Sequence, residues 1–183
     1  MPVIRYAGEG DEVRYAFGGY GFLDKNFKDA RFSPKFSGGI IYLSGDKQSS
    51  ARNEGWDPLF SRWPWMSELY VNTMAGETGI PGYWTNLQIY RLELSLNTTK
   101  KTKLTLDYNY LRANAQMAAT TTSTSTIFSG TSKDRGHLPQ VRLDYKINDN
   151  ITTYFLGEYL KPGHFYKDND PAIFLRTEVQ IKF

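Results

Sequence analysis

The chain has 183 residues, no cysteine, and 22 Lys+Arg against 19 Asp+Glu for a formal charge of +3, a balance too even for a charge-driven nucleic-acid binder. Mean hydropathy is −0.52, and no apolar run approaches the ~18–20 residues of a membrane helix, which excludes helical spanning but not a β-barrel, where only alternate residues meet lipid. Aromatics reach 15%, weighted to 13 Tyr and 11 Phe, which suits interfacial girdles as well as a sandwich core.

Met1 to Tyr6 lack a charged segment followed by an apolar one, so an export signal and N-terminal strands are expected to lie outside this sequence. Val3 to Ala7 reads as no more than a strand end. From Val13 apolar and polar residues alternate: Val13, Tyr15 and Phe17 share one face. Gly18-Gly19 then break parity, and a bulge there would return Tyr20 and Phe22 to that face. Leu23 to Ser33 reads as a polar turn. Pro34 to Ser44 is the next strand, with Phe36, Ile40 and Tyr42 opposite Lys35 and Ser37. Gly45 to Gly82 is expected to be irregular, yet its aromatic content argues against disorder.

The alternation is clearest from Trp84 onward. Tyr90, Leu92, Leu94 and Leu96 alternate with Arg91, Glu93 and Ser95; a turn at Asn97–Thr102 follows; then Leu104, Leu106, Tyr108 and Tyr110 alternate with Thr105, Asp107 and Asn109. This predicts a hairpin with one continuous apolar face. Ala113 to Gly136 is a loop whose Thr120–Thr126 tract is low in complexity and expected to be exposed and flexible. Val141, Leu143 and Tyr145 alternate with Arg142 and Asp144, and the strand from Ile151 to Lys161 sets Ile151, Thr153, Phe155 and Tyr159 against Tyr154, Leu156 and Glu158. After a loop at Pro162–Pro171, the stretch from Ile173 to Phe183 alternates again. It is about as long as the ~9–11 residues a tilted strand needs to cross a bilayer.

Long and short connections alternate along this meander, as in outer-membrane barrels with short periplasmic turns and longer outside loops. The expected fold is an all-β, antiparallel up-and-down transmembrane β-barrel, or the C-terminal arc of a larger one, in a single domain over residues 1–183. Its wet face would line a lumen with Arg91, Glu93, Asp107, Arg142, Asp144, Arg176 and Glu178. The competing structural reading is that these interleaved charges pair across the ladder and tie the wall. Trp56, Asp57, Arg62, Trp63 and Trp65 would form a constriction or a sugar-stacking loop, or else pack over the barrel rim. No metal cluster, cofactor motif or catalytic spacing stands out, and His137 and His164 sit at strand–loop junctions. The chain therefore reads as a channel and not an enzyme. The alternatives are a soluble β-barrel or sandwich binding module and a structural component of an outer-membrane complex.

Several segments resemble the alginate-export family of outer-membrane porins. They are Pro34 to Asp46 (ending Tyr42-Leu43-Ser44-Gly45-Asp46), Trp56-Asp57-Pro58-Leu59-Phe60 with Glu68-Leu69-Tyr70 after it, the hairpin Leu87 to Leu111, and Glu158 to Gly163 leading to the aromatic terminus. The resemblance implies the C-terminal part of a larger single-chain barrel in the bacterial outer membrane. Such a barrel passes anionic oligo- or polysaccharide, or small anionic solutes, by passive diffusion through a charged lumen. The period-two rule finds only about seven or eight strands here. Further strands, from sequence outside this chain or from another chain, are thus expected partners, alongside outer-membrane lipid.

Overall fold

The computed structural model describes residues 14–47, 49, 52–58, 65–117 and 127–183. Seven strands form one antiparallel meander: β1 (Gly18–Asn26), β2 (Lys35–Leu43), β3 (Leu87–Asn97), β4 (Thr102–Arg112), β5 (Asp134–Lys146), β6 (Ile151–Pro162) and β7 (Ala172–Ile181). Sequence neighbours are sheet neighbours throughout, so β1 and β7 are the two edges among the described residues. Strands of 9 to 13 residues match the span a tilted strand needs. No helix among the described residues is long and apolar enough to cross a membrane.

Register decides which residues share a face, because Cα partners across a ladder project to the same side. One row runs Lys25–Phe36–Leu94–Leu106–Val141–Gly157–Leu175, apolar but for Lys25 at the end of β1, and a parallel row runs Leu96–Leu104–Leu143–Phe155. Leu92, Leu175 and Val179 on this face are 65%, 65% and 59% exposed. Exposure on that scale along whole rows means the face has no protein partner among the described residues. The opposite face carries the charges and α1 (Glu68–Thr78), the one helix of the described chain.

The helix lies within the stretch expected to be irregular, and it corrects that reading. Periodicity does not announce it: Leu69, Tyr70, Val71 and Met74 follow no single stripe, and Gly76 and Thr73 are poor helix formers. Its ends are nevertheless written in the sequence. Ser67 is the N-cap, its Oγ accepting the Tyr70 N–H at 2.9 Å. Gly79 at φ 77° is the C-cap and donates its N–H to the Ala75 carbonyl at 2.8 Å. The helix is held by packing. Tyr70 and Met74 sink fully among Ile41, Leu43, Trp84, Leu87, Ile89, Leu111, Leu138 and Leu160, and burying each such side chain favours docking by about 1.5–3 kcal/mol.

Two other expectations are corrected. β1 pairs with β2 without a break from Gly18↔Leu43 to Asn26↔Lys35, so no bulge occurs at Gly18-Gly19. Tyr20 and Phe22 therefore lie on the α1 face, away from Phe17, which packs outward on Tyr42 at 5.8 Å. The cause is a glycine gap in the wall: a Cβ on Gly39 would stand 2.3 Å from the Phe22 ring, so Phe22 fills the space a side chain would take. β1 also runs on through Leu23–Asn26, leaving a shorter turn closed by Phe27 N–H to Pro34 O at 2.9 Å. Val3–Ala7, Val13 and Thr120–Thr126 lie outside the described residues. Beyond β4, Phe128, Phe165, Tyr166 and Ala113 form a second small cluster under the long loops.

Candidate functional site

The α1 face is built in tiers. Nearest the long connections it is apolar, with Leu87, Ile89, Leu111, Leu138 and Leu160 buried beneath the helix. The next tier toward the short turns aligns Asp24, Ser37, Glu93, Asp107, Gln140 and Glu158 in register. Below it lie Lys35, Ser95, Thr105, Arg142, Leu156 and Arg176, then Lys103, Asp144, Tyr154 and Glu178. The last tier places Lys101 opposite Lys146, whose N–H donates to the Lys101 carbonyl at 2.8 Å, with Thr152 and Gln180 beyond. Each strand thus changes chemistry halfway along one face, from aliphatic under the helix to ionic past it.

All seven charged residues expected on the wet face share this face, and the structure ties them together. Arg91 Nε donates to Asp107 at 2.7 Å and its Nη2 to Glu93 at 2.7 Å. Arg142 bonds Asp144 through Nε at 2.9 Å and Nη2 at 2.7 Å, and lies over the Tyr154 ring at 3.9 Å. Arg176 bridges Glu178 and Glu68 of the helix. Each of these arginines pairs with a carboxylate two residues along its own strand, and only the Arg91–Asp107 pair crosses the ladder. The lysines differ: among the described residues Lys35 pairs with Asp24 and Lys146 with Asp149, while no ion pair is formed by Lys100, Lys101, Lys103 or Lys182. Lys100, Lys101 and Lys103 line a cavity of ≈ 420 Å³ at the short-turn end, bounded also by Arg142, Asp144, Lys146, Glu178 and Gln180.

The helix is clamped at both ends by groups that periodicity did not single out. Glu158 of β6, 3% exposed, accepts the Ser67 hydroxyl at 2.6 Å, the Leu69 N–H at 2.8 Å and the Glu68 N–H at 3.1 Å. Gln140 Nε2 adds a fourth bond at 3.0 Å. A carboxylate on these free N–H groups meets both their missing acceptors and the positive end of the helix dipole. At the other end Arg135, 1% exposed, bonds Glu77 at 2.5 Å, Tyr70 Oη at 3.0 Å and Tyr166 Oη at 3.1 Å. Tyr166 donates to the same Glu77 oxygen at 2.6 Å. Arg135 reaches inward because the β4–β5 register slips between Leu111 and Arg112. It is the extra residue of a bulge, followed by Gly136 at φ 114°. Burial lifts the Tyr70 hydroxyl to about 12 and Tyr166 well above its ordinary value.

The aromatic loop divides. Trp56 is structural: its indole covers Gly18, where a Cβ would meet it at 2.8 Å, and its carbonyl accepts the Thr85 hydroxyl at 2.6 Å. Asp57 is a loop tie, held by Arg14 at 2.7 Å and by the Tyr83 hydroxyl at 3.0 Å. Trp65 is the open ring, 42% exposed and edge-on to Tyr20 at 5.7 Å. It borders a cleft of ≈ 550 Å³ with Glu68, Arg91, Lys103, Gln140 and Arg142. Arg62 and Trp63 lie outside the described residues. Of the signals available, Ser67 and Gly79 marked the helix, but nothing in one sequence announced Arg135 or Glu158 as its anchors.

Seven antiparallel strands in an uninterrupted meander, one face largely apolar and the other ionic over its lower half, define an arc of an up-and-down outer-membrane β-barrel. The profile of the alginate-export family matches residues 8–179, and the chain belongs to that family, one of outer-membrane transport porins. No curated protein matches the chain.

Proposed function

We propose that this arc walls an outer-membrane channel for anionic polysaccharide, with the α1 face toward the lumen and the opposite face toward lipid. Passage is passive diffusion past Arg91, Glu93, Asp107, Arg142, Asp144, Arg176 and Glu178. The observation that carries the anionic choice is the short-turn tier, where Lys100, Lys101, Lys103 and Lys182 have no ion-pair partner among the described residues. Charges on such a wall act over ~8 Å at physiological salt, so unpaired lysines bias what enters while paired arginines mainly hold the strands. Trp65 offers a stacking surface for a sugar ring beside Arg91 and Arg142. Because lipid cannot satisfy the free N–H and C=O groups of β1 and β7, further strands complete the barrel, from sequence outside this chain or from another chain.

Reversal potential across a planar bilayer under a salt gradient tests the reading. The protein should pass anions in preference to cations. Replacing Lys101, Lys103 and Lys182 by Gln should reduce that preference more than Arg142→Gln does. A cation-selective or unselective pore that these changes leave alone would end the anionic reading.

A further inference from the structure

Tyr20 stands on the wet face of β1, in register with the buried Ile41, and no packing role accounts for it. The residue is 70% exposed. Its hydroxyl forms no hydrogen bond among the described residues, whereas Tyr154 on the same face of β6 donates to Glu178 at 2.9 Å. Tyr20 links two further open rings, lying 5.7 Å from Trp65 and 5.9 Å from Phe22 between centroids, at interplanar angles of 72° and 43°. Rings that meet edge-on or tilted leave faces uncovered; Tyr70 and Trp84, stacked at 24° beneath the helix, are closed off. Phe22 is set by the glycine gap at Gly39, and the same row continues to Arg91. Trp65 and Arg91 line one cleft. Arg91 donates through Nε and Nη2 to Asp107 and Glu93, and its Nη1 bonds nothing among the described residues.

From this we infer that Trp65, Tyr20 and Phe22 form a stacking track for pyranose rings, which holds a polysaccharide by the C–H faces of its sugars and not by its carboxylates. The track rests on the proposed orientation of the α1 face toward the lumen, and it extends the single ring of Trp65 into a path along β1. A pyranose with equatorial hydroxyls turns its axial C–H bonds toward the negative face of an aromatic ring. Its hydroxyl rim stays free for water or for a donor such as Arg91 Nη1. A strand completing the wall beside β1 would join in the plane of the sheet, ~4.7–4.9 Å away, so it flanks these rings and leaves their lumen side open. A charged wall alone holds any anion that fits; adjoining aromatic faces favour a chain of sugars over a small anion.

The test is binding of two sugar hexamers to the intact protein, in micelles of a detergent without a sugar headgroup, read by saturation-transfer NMR. The probes are cellohexaose, which is uncharged, and a hexauronate of the same linkage. Wild-type protein should bind both, with saturation concentrated on the axial C–H protons. Tyr20→Leu with Trp65→Leu keeps apolar bulk but removes two ring faces, and should weaken cellohexaose binding about 10-fold. Tyr20→Phe with Trp65→Phe should stay within about threefold of wild type. Lys101→Gln with Lys103→Gln should leave cellohexaose binding unchanged. Phe22 is not replaced, because it fills the Gly39 gap. Binding of the hexauronate without cellohexaose would assign the hold to carboxylate contacts and overturn the track without need of any variant. Equal saturation of all cellohexaose protons, or an affinity untouched by the Leu pair, would overturn it as well. Reversal potential is blind to an uncharged sugar, so failure of the anionic reading and failure of the track are separable.

Discussion

Replacing Glu158 with Gln removes one charge and one acceptor while preserving shape, so it isolates what the carboxylate does for α1. Its two oxygens accept from the Ser67 hydroxyl, the Glu68 and Leu69 N–H groups and Gln140 Nε2, at 2.6 to 3.1 Å. A Gln oxygen in the Oε2 position keeps Ser67 and Leu69. The new NH2 then faces two donors, Glu68 N–H and Gln140 Nε2, with nothing to accept from them. Hydrogen bonds to a charged group contribute about 1.5–3 kcal/mol each, and loss of the favourable helix-terminus charge costs up to ~2 kcal/mol where partly buried. Some of this is recovered by water reaching the rim, which leaves roughly 3 kcal/mol, or about 100-fold in the opening equilibrium of the helix. Hydrogen exchange at the α1 amides reads that number. Protection should fall about 100-fold from Leu69 to Met74 and much less near Thr78, because the Arg135–Glu77 clamp is untouched. Protection changed by less than about threefold would mean that apolar packing alone docks the helix, and the role assigned to Glu158 would be wrong.

Three further outcomes follow from the same packing. Glu77→Gln should destabilise the folded protein by about 3–5 kcal/mol by leaving Arg135 buried without its carboxylate, whereas Arg135→Met with Glu77→Leu should cost far less; urea unfolding of the double-mutant cycle measures both. Because Tyr70 ionises at about 12 when docked against 10.0 when free, the unfolded chain sheds protons first, and docking stability present below pH 10 is lost as pH rises through about 12; absorbance at 295 nm at pH 11 should show Tyr70 and Tyr166 still un-ionised, and a difference spectrum unaffected by Tyr70→Phe after unfolding alone would contradict this. Gly39→Ala should destabilise by roughly 1–3 kcal/mol through its clash with the Phe22 ring and the Gly21 carbonyl, while Gly21→Ala, which meets nothing within 4 Å, should be near neutral; thermal gel-shift midpoints compare them.

Parity made most of the sheet legible. A period of two fixes the face of every residue once one is placed, which is why Arg91, Asp107, Arg142, Arg176 and Glu178 fell on one side and Leu92, Leu106, Val141 and Val179 on the other. Where a glycine intervenes, parity carries no memory of what fills the gap. Gly18-Gly19 read as a bulge because Tyr20 and Phe22 looked like further outward aromatics, yet Gly39 and Trp65 made room for them inside. The helix escaped for a different reason. Its sequence is a weak helix former, and its stability comes from Glu158, Arg135 and Tyr166, whose bonds to it span 58 to 91 positions of chain.

Alternation assigns faces, but it does not say what a face touches. On β3 the same parity yields Leu87 and Ile89, then Arg91 and Glu93; on β5 it yields Leu138, then Gln140 and Arg142. The change from apolar to ionic falls within one register step on both strands, Arg91 lying level with Leu138, because α1 covers the upper half of the wall. Below it the wall needs side chains that tolerate water, and neighbouring charges pair, mostly two residues apart on one strand, because a paired charge costs less to hold than an isolated one beside low-dielectric protein. Toward the short turns Lys101, Lys103 and Lys182 form no ion pair among the described residues, although Lys103 lies opposite Asp144 in register. Arginines held by carboxylates thus stand at mid-height of this wall, and lysines without ion pairs among the described residues stand toward its short-turn end.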